Sequence, residues 1–133
     1  MSTKISASAI ARNKDEGSIG NYVVIDPYPS EELRAGNISG ITRLIEEKVE
    51  DVELSIFTQL EKNDILFIDS SHTVKPLGDV NFLFLRVIPQ LKPGVVVHIH
   101  DIFFPVEYLP HHFFNKGTKM FWQEQYLLHA FLI

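Results

Sequence analysis

Cysteine is absent from this chain of 133 residues, which removes both a disulfide framework and thiolate chemistry. That absence agrees with a cytoplasmic location. Long apolar runs are lacking too. None approaches the roughly 20 residues that span a bilayer, and no signal-peptide h-region opens the chain, so no membrane partner is expected. Positive charge is in short supply: 12 Lys and Arg stand against 17 Asp and Glu, a formal net charge of −5. Nucleic-acid binders usually carry a basic surface, so a phosphate-backbone partner is not expected either. The seven glycines fall at 17, 20, 36, 40, 78, 94 and 117. Neither G-x-G-x-x-G nor P-loop spacing can be drawn through them, so the usual phosphate cradle is missing. No internal repeat, low-complexity tract or linker divides the chain, which reads as one domain over residues 1–133.

What is present centres on residues 64 to 101. Asp64-Ile65-Leu66-Phe67-Ile68-Asp69 is an apolar run of strand length ending in a carboxylate. Val95-Val96-Val97-His98-Ile99-His100-Asp101 is a β-branched run with the same ending. Between them, Val80, Phe84, Val87, Ile88 and Leu91 recur at helical spacing within Leu77 to Leu91. Strand, helix, strand over this length predicts a βαβ unit with parallel strands and a right-handed crossover. Continuous apolar runs imply strands covered on both faces. In such sheets the ligand site lies beyond the carboxyl ends of the strands, where Asp69, His72, His100 and Asp101 would gather.

The flanking segments extend an α/β pattern. Ser2 or Thr3 caps a first helix to about Lys14, with Ile5, Ala9 and Ile10 on one face. Tyr22 to Asp26 is a further short strand ending in an acid, stopped by Pro27-Tyr28-Pro29. Ser30 to Arg34 reads as a helical turn. Residues 41 to 49 fit a strand around Thr42 to Ile45 or the end of a helix, and the strand is preferred. Ser55 to Leu60 is a short helix. Phe103-Phe104-Pro105 breaks regular structure before an aromatic loop, Val106 to Gly117, holding Tyr108, His111, His112, Phe113 and Phe114. Met120 to Leu132 has helical spacing at Phe121, Gln125, Leu128 and Leu132 but is apolar nearly all round, as in a helix buried or packed on a partner.

Three strands ending in Asp26, Asp69 and Asp101 form the main chemical pattern. A carboxylate after the second strand of a Rossmann-like sheet accepts hydrogen bonds from ribose hydroxyls; equally, Asp is a good strand terminator and helix cap. Asp69-Ser70-Ser71-His72 and His98-Ile99-His100-Asp101 bring oxygen and imidazole groups to adjacent strand ends. Carboxylates suit Mg²⁺, and imidazole suits a softer metal or a general base near neutral pH. Period-2 geometry sets His98 and His100 on one strand face. The alternative for each is a buried histidine satisfied by a backbone carbonyl, the preferred reading for His98. His111, His112 and His129 read as surface or loop residues.

Together these residues resemble a class I S-adenosylmethionine-dependent methyltransferase of the branch that includes small-molecule O-methyltransferases. Asp64-Ile65-Leu66-Phe67-Ile68-Asp69-Ser70-Ser71-His72 resembles that branch's fourth strand and following loop. Leu91-Lys92-Pro93-Gly94 leading into Val95 to Ile102 resembles its fifth strand, and Val24-Ile25-Asp26-Pro27-Tyr28 its second. The resemblance implies methyl transfer from S-adenosylmethionine to a small-molecule hydroxyl. It implies Asp26, Asp51 and Asp69 at the cofactor, with Asp26 on the ribose and Asp51 on the adenine. It implies His72 or His100 as the catalytic base and Asp69 with Asp101 on Mg²⁺, although Ile102 occupies the place of the family's amide ligand.

The family's first strand and glycine-rich loop would precede the first helix, and an antiparallel pair would follow the last. Neither is in these residues, and the apolar ending Tyr126 to Ile133 looks cut, so the expectation is an incomplete, mostly parallel Rossmann-like sheet with helices on both faces. A gap is expected where the first strand belongs, between the second and the fourth. Weak cofactor binding and a homodimer or higher oligomer follow from that gap. A metal-dependent hydrolase using His98, His100 and Asp101, and a non-catalytic oligomerising domain, are the alternatives.

Overall fold

The computed structural model describes residues 2–110, 113 and 120–133. It is a mixed α/β structure of two compact units, Met1–Asp51 and Val52–Ile133. In the first unit, helix α1 (Ser2–Asp15) precedes strand β1 (Val23–Ile25), helix α2 (Glu31–Arg34) and strand β2 (Arg43–Ile45). β1 and β2 pair in parallel, with Val24 opposite Leu44 and Ile25 opposite Ile45. Pairing runs one step further, because the Asp26 N–H donates to the Ile45 carbonyl at 3.0 Å. The strand reading of Thr42 to Ile45 is therefore correct.

Ser30 caps α2 through its hydroxyl, which accepts from the Leu33 N–H at 3.3 Å. Of the apolar face Ile5, Ala9 and Ile10 of α1, only Ile10 is half-buried. Ala7 is the helix's buried residue, whereas Ile5 is 65% exposed and Ala9 faces solvent. The reason is a close backbone approach. Gly40, at φ +96°, lies so near α1 that a Cβ there would sit 2.0 Å from the Ala7 carbonyl oxygen. Only a small residue on the facing turn admits that approach.

The second unit opens with helix α3 (Ser55–Thr58), followed by strand β3 (Ile65–Ile68), the crossover, and strand β4 (Val96–Ile99). β3 and β4 are parallel, Ile65 opposite Val96 and Ile68 opposite Ile99. The βαβ reading is correct in pairing and order. The crossover is not one regular helix. It begins as α4 (Asp79–Phe82), widens into a π turn at Leu83–Val87 and ends as a 3₁₀ turn at Ile88–Gln90. Pro89 accounts for this: it has no N–H to give and its ring crowds the carbonyl of residue 85, so the ladder widens and ends. The apolar positions nevertheless face inward as expected, with Val80, Phe84 and Val87 almost fully buried. Phe82 and Leu83 join them, and Phe82 meets Phe57 edge-on at 6.1 Å between centroids.

The strands form two two-stranded parallel sheets, β1-β2 and β3-β4, among the described residues. One expectation is corrected: the β3-β4 strands are not covered on both faces. Ile68 is buried, while Ile65 and Val96 are more than half exposed and Phe67 is 41% exposed. Apolar side chains thus occupy a solvent face, so a continuous apolar run does not report burial here.

The last helix, α5, spans Glu124–Leu132, starting four residues later than its spacing predicts. Its buried residues are Glu124 and Gln125, and its apolar end, Phe131 to Ile133, is exposed. The aromatic loop is only in part described: Tyr108 is buried at its centre, and His111, His112 and Phe114 lie outside the described residues. Among the described residues no helix is long and apolar enough to cross a membrane.

Candidate functional site

β3 ends at Ile68, and the chain then turns through Asp69-Ser70-Ser71 to His72. Asp79, the first residue of α4, fixes this turn by accepting from the Ser71 N–H at 2.6 Å and the Ser71 hydroxyl at 2.7 Å. His72 takes a left-handed backbone conformation, φ 57°, and so does Asp101 at the end of β4, φ 56°. A non-glycine residue in that region costs roughly 1–2 kcal/mol, so two such residues at neighbouring strand ends need support from their surroundings. His72 receives it. Its N–H donates to the Ser70 hydroxyl at 3.0 Å, and its carbonyl accepts from the Gln123 and Glu124 N–H groups at 2.8 and 3.2 Å. Those two amides lie at the start of α5, where helix N–H groups have no partner within the helix. That is why α5 begins at Glu124 and not at Met120.

The His72 side chain is buried, and its two nitrogens have different surroundings. Nδ1 lies 2.7 Å from Oε2 of Glu124, a fully buried carboxylate. Nε2 faces two acids, 3.9 Å from Asp69 and 3.7 Å from Asp101. Trp122 tilts against the ring at 4.6 Å between centroids. Burial by itself would lower the imidazole pKa. The hydrogen bond and charge of Glu124, with the charges of Asp101 and Asp69, outweigh it and raise the pKa above its ordinary value.

Around this centre, Tyr108 is buried and meets Trp122, Phe103 and Tyr126 edge-on. Burial raises its phenol pKa, although its oxygen accepts from the Gln125 N–H. The Gln125 side chain accepts from the Phe103 N–H and donates to the Val106 carbonyl, tying the loop after β4 to α5.

The structure brings Asp69, His72 and Asp101 together, and His100 lies beside Asp101 on a different course. The His100 Nδ1 accepts from the Asp101 N–H at 2.8 Å. Its ring points along the exposed face of β3-β4, edge-on to Phe67 at 5.9 Å. His98 is not a buried histidine. It is exposed and stacked on Phe67, centroids 4.6 Å apart and planes 8° from parallel. Side chains two apart on a strand share a face, and β4 turns this one to solvent. In the first unit, Asp26 closes a turn by accepting from the Tyr28 N–H at 2.9 Å through one carboxylate oxygen. Asp51 ends the 3₁₀ turn Val49–Asp51 and is exposed.

Glu124, Ser70 and Trp122 were not among the residues singled out from the sequence. Glu124 sits in a segment whose spacing reads as an apolar helix, and a lone acid there carries no motif. Its fully buried position is the signal, and only folding reveals it.

The structure lends no support to magnesium at Asp69 and Asp101. Among the described residues no group of three or more His, Asp or Glu side chains is placed to hold a metal ion. Asp69 and Asp101 supply two carboxylates, and Ile102 offers no ligand in place of the family's amide. The hydrolase arrangement fits no better. A metal on His100 Nε2 needs the proton on Nδ1, which here is the acceptor for Asp101.

Parallel strand pairs, a crossover in the second unit and acids at the strand ends define a mixed α/β chain. Residues 1–102 match the family model described as a methyltransferase domain, and the chain belongs to that family. No curated protein and no solved structure gives a significant match. The family's chemistry is methyl transfer, and its usual methyl donor is S-adenosylmethionine. Trp122, Glu124 and Gln125 lie beyond the matched residues.

Proposed function

We propose that this chain transfers a methyl group from S-adenosylmethionine to a small-molecule hydroxyl, with His72 as the base. The observation that carries this reading is the buried imidazole at the end of β3, its Nε2 turned toward Asp69 and Asp101. An imidazole made more basic by neighbouring carboxylates suits removal of a hydroxyl proton. In the step proposed, His72 Nε2 takes that proton, and the oxygen's electron pair forms a bond to the donor methyl carbon. The methyl–sulfur bond breaks, its electrons stay on sulfur, and S-adenosylhomocysteine leaves. Asp69 and Asp101 hold the imidazolium that results. No metal is assigned to this step.

The donor would supply an electrophilic methyl group on a sulfonium. Asp26 supports its binding in the first unit: one oxygen closes the turn to Tyr28, and the other is left for ribose hydroxyls. Asp51 is retained as the adenine contact on the same reading.

The test is formation of S-adenosylhomocysteine from millimolar S-adenosylmethionine with a panel of phenols, catechols and sugar alcohols. His72→Ala should lower turnover about 100-fold or more, in the range of a lost general base. Asp26→Ala should weaken donor binding about tenfold or more, as for a hydrogen bond to a charged group. Equal turnover in wild type and His72→Ala would remove the assignment of the base.

A further inference from the structure

We propose that Glu124, from the segment beyond the family match, is a positioning residue that fixes which nitrogen His72 presents to Asp69 and Asp101. The inference rests on the assignment of His72 as the base, and it names what holds that base in place.

A histidine on a strand-end turn can present either ring nitrogen, and a flipped ring places its proton on the wrong side. Here the choice is removed by a closed ring of hydrogen bonds. The His72 N–H donates to Ser70 Oγ at 3.0 Å, and Ser70 Oγ donates to Glu124 Oε1 at 2.7 Å. Glu124 Oε2 then faces His72 Nδ1 at 2.7 Å. Both carboxylate oxygens are engaged, so the group cannot rotate away. An ionised carboxylate only accepts hydrogen bonds, and Nδ1 opposite an ionised Glu124 then carries a proton. The lone pair of the neutral ring is then on Nε2, toward Asp69 and Asp101.

The Glu124 backbone reinforces this. Its own N–H and that of Gln123 donate to the His72 carbonyl, and the Gln123 side chain accepts from the Val74 N–H at 3.2 Å. The start of α5 therefore grips residues 72 to 74 on the backbone while Glu124 grips the ring. Trp122 lies against the imidazole and limits its tilt. A buried carboxylate is expensive to place without partners; Glu124 is fully buried and spends its two oxygens on this one turn.

The test is a two-bond ¹H–¹⁵N correlation spectrum of the full chain labelled at histidine, recorded at neutral and alkaline pH. Wild type should show the His72 Nδ1 protonated throughout, so that its neutral ring carries the proton there. Glu124→Gln should shift the neutral ring toward a proton on Nε2, since an amide can donate to Nδ1. Ser70→Ala, which frees one carboxylate oxygen and leaves the other on the ring, should give a smaller change of the same sense.

A wild-type ring with its proton on Nε2 would overturn the proposal. So would a Glu124→Gln spectrum identical to wild type. Should Glu124→Gln fail to fold, the wild-type and Ser70→Ala spectra decide alone. The measurement needs no turnover. A ring that follows Glu124 in a chain that methylates none of the tested acceptors keeps the positioning role and removes the methyl-transfer reading. A ring indifferent to Glu124 in an active chain does the reverse.

Discussion

His72 has a raised pKa because Glu124, Asp101 and Asp69 favour its charged form more than burial disfavours it. The sign of the stability effect follows from proton linkage. The folded state holds the proton more tightly than the unfolded one, whose histidine titrates near 6.5. The stabilisation is therefore complete below that value and is lost as pH rises through the folded pKa. Thermal unfolding should show the chain more stable at pH 6 than at pH 8.5, and His72→Gln should flatten that dependence. A dependence of equal size in His72→Gln would place its origin elsewhere. At the other residue of note, Gly40, an added methyl would meet the Ala7 carbonyl oxygen and force a strained backbone. Gly40→Ala should cost about 3 kcal/mol or more, as overpacking and left-handed strain together. Gly36→Ala, also at positive φ but with open space around it, should cost only about 1–2 kcal/mol. Denaturant midpoints of the two variants compare them directly.

The elements matter here through their ends. β3 and β4 deliver Asp69 and Asp101, α4 pins the turn after β3, and α5 closes over His72. The pin is Asp79, whose two oxygens both accept from Ser71. Asp79→Ala removes two hydrogen bonds to a charged group, each worth about 1.5–3 kcal/mol where it is sheltered and less where it is exposed. Ser71 is exposed, so a loss of about 1–3 kcal/mol is expected. Amide exchange should accelerate first across residues 70–74, before the strands open. Uniform acceleration through β3 and β4 would instead make Asp79 a support of the whole unit.

For the molecule as a whole, the exposed face of β3-β4 is the feature without an explanation in the single chain. Ile65, Phe67 and Val96 are apolar and open there, with His98 stacked on Phe67. Two-stranded sheets are marginal alone and leave strand edges free to pair. The homodimer expected from the sequence stands as a proposal, in which a second copy covers this face. Light scattering at micromolar concentration should give twice the chain mass, and Phe67→Glu should lower it to one. A monomer in wild type would discard the proposal.

The sequence by itself determined the local chemistry of the chain. Parallel pairing of the 65–68 and 96–99 strands was legible because a strand, a helical period and a second strand leave one connection. The inward positions Val80, Phe84 and Val87 were legible because helical spacing repeats on one face. The gathering of Asp69, His72 and Asp101 was legible because residues at neighbouring parallel strand ends come to one edge of the sheet. What the sequence did not determine depends on contacts between distant residues. Apolar composition alone does not say which face of β4 is covered, so His98 was read as buried and is not. Helical periodicity does not register that the first amides of α5 are held by the His72 carbonyl, 51 and 52 positions earlier. Glu124 has no motif, and its meaning is a distance of 2.7 Å to a ring that only tertiary packing brings beside it.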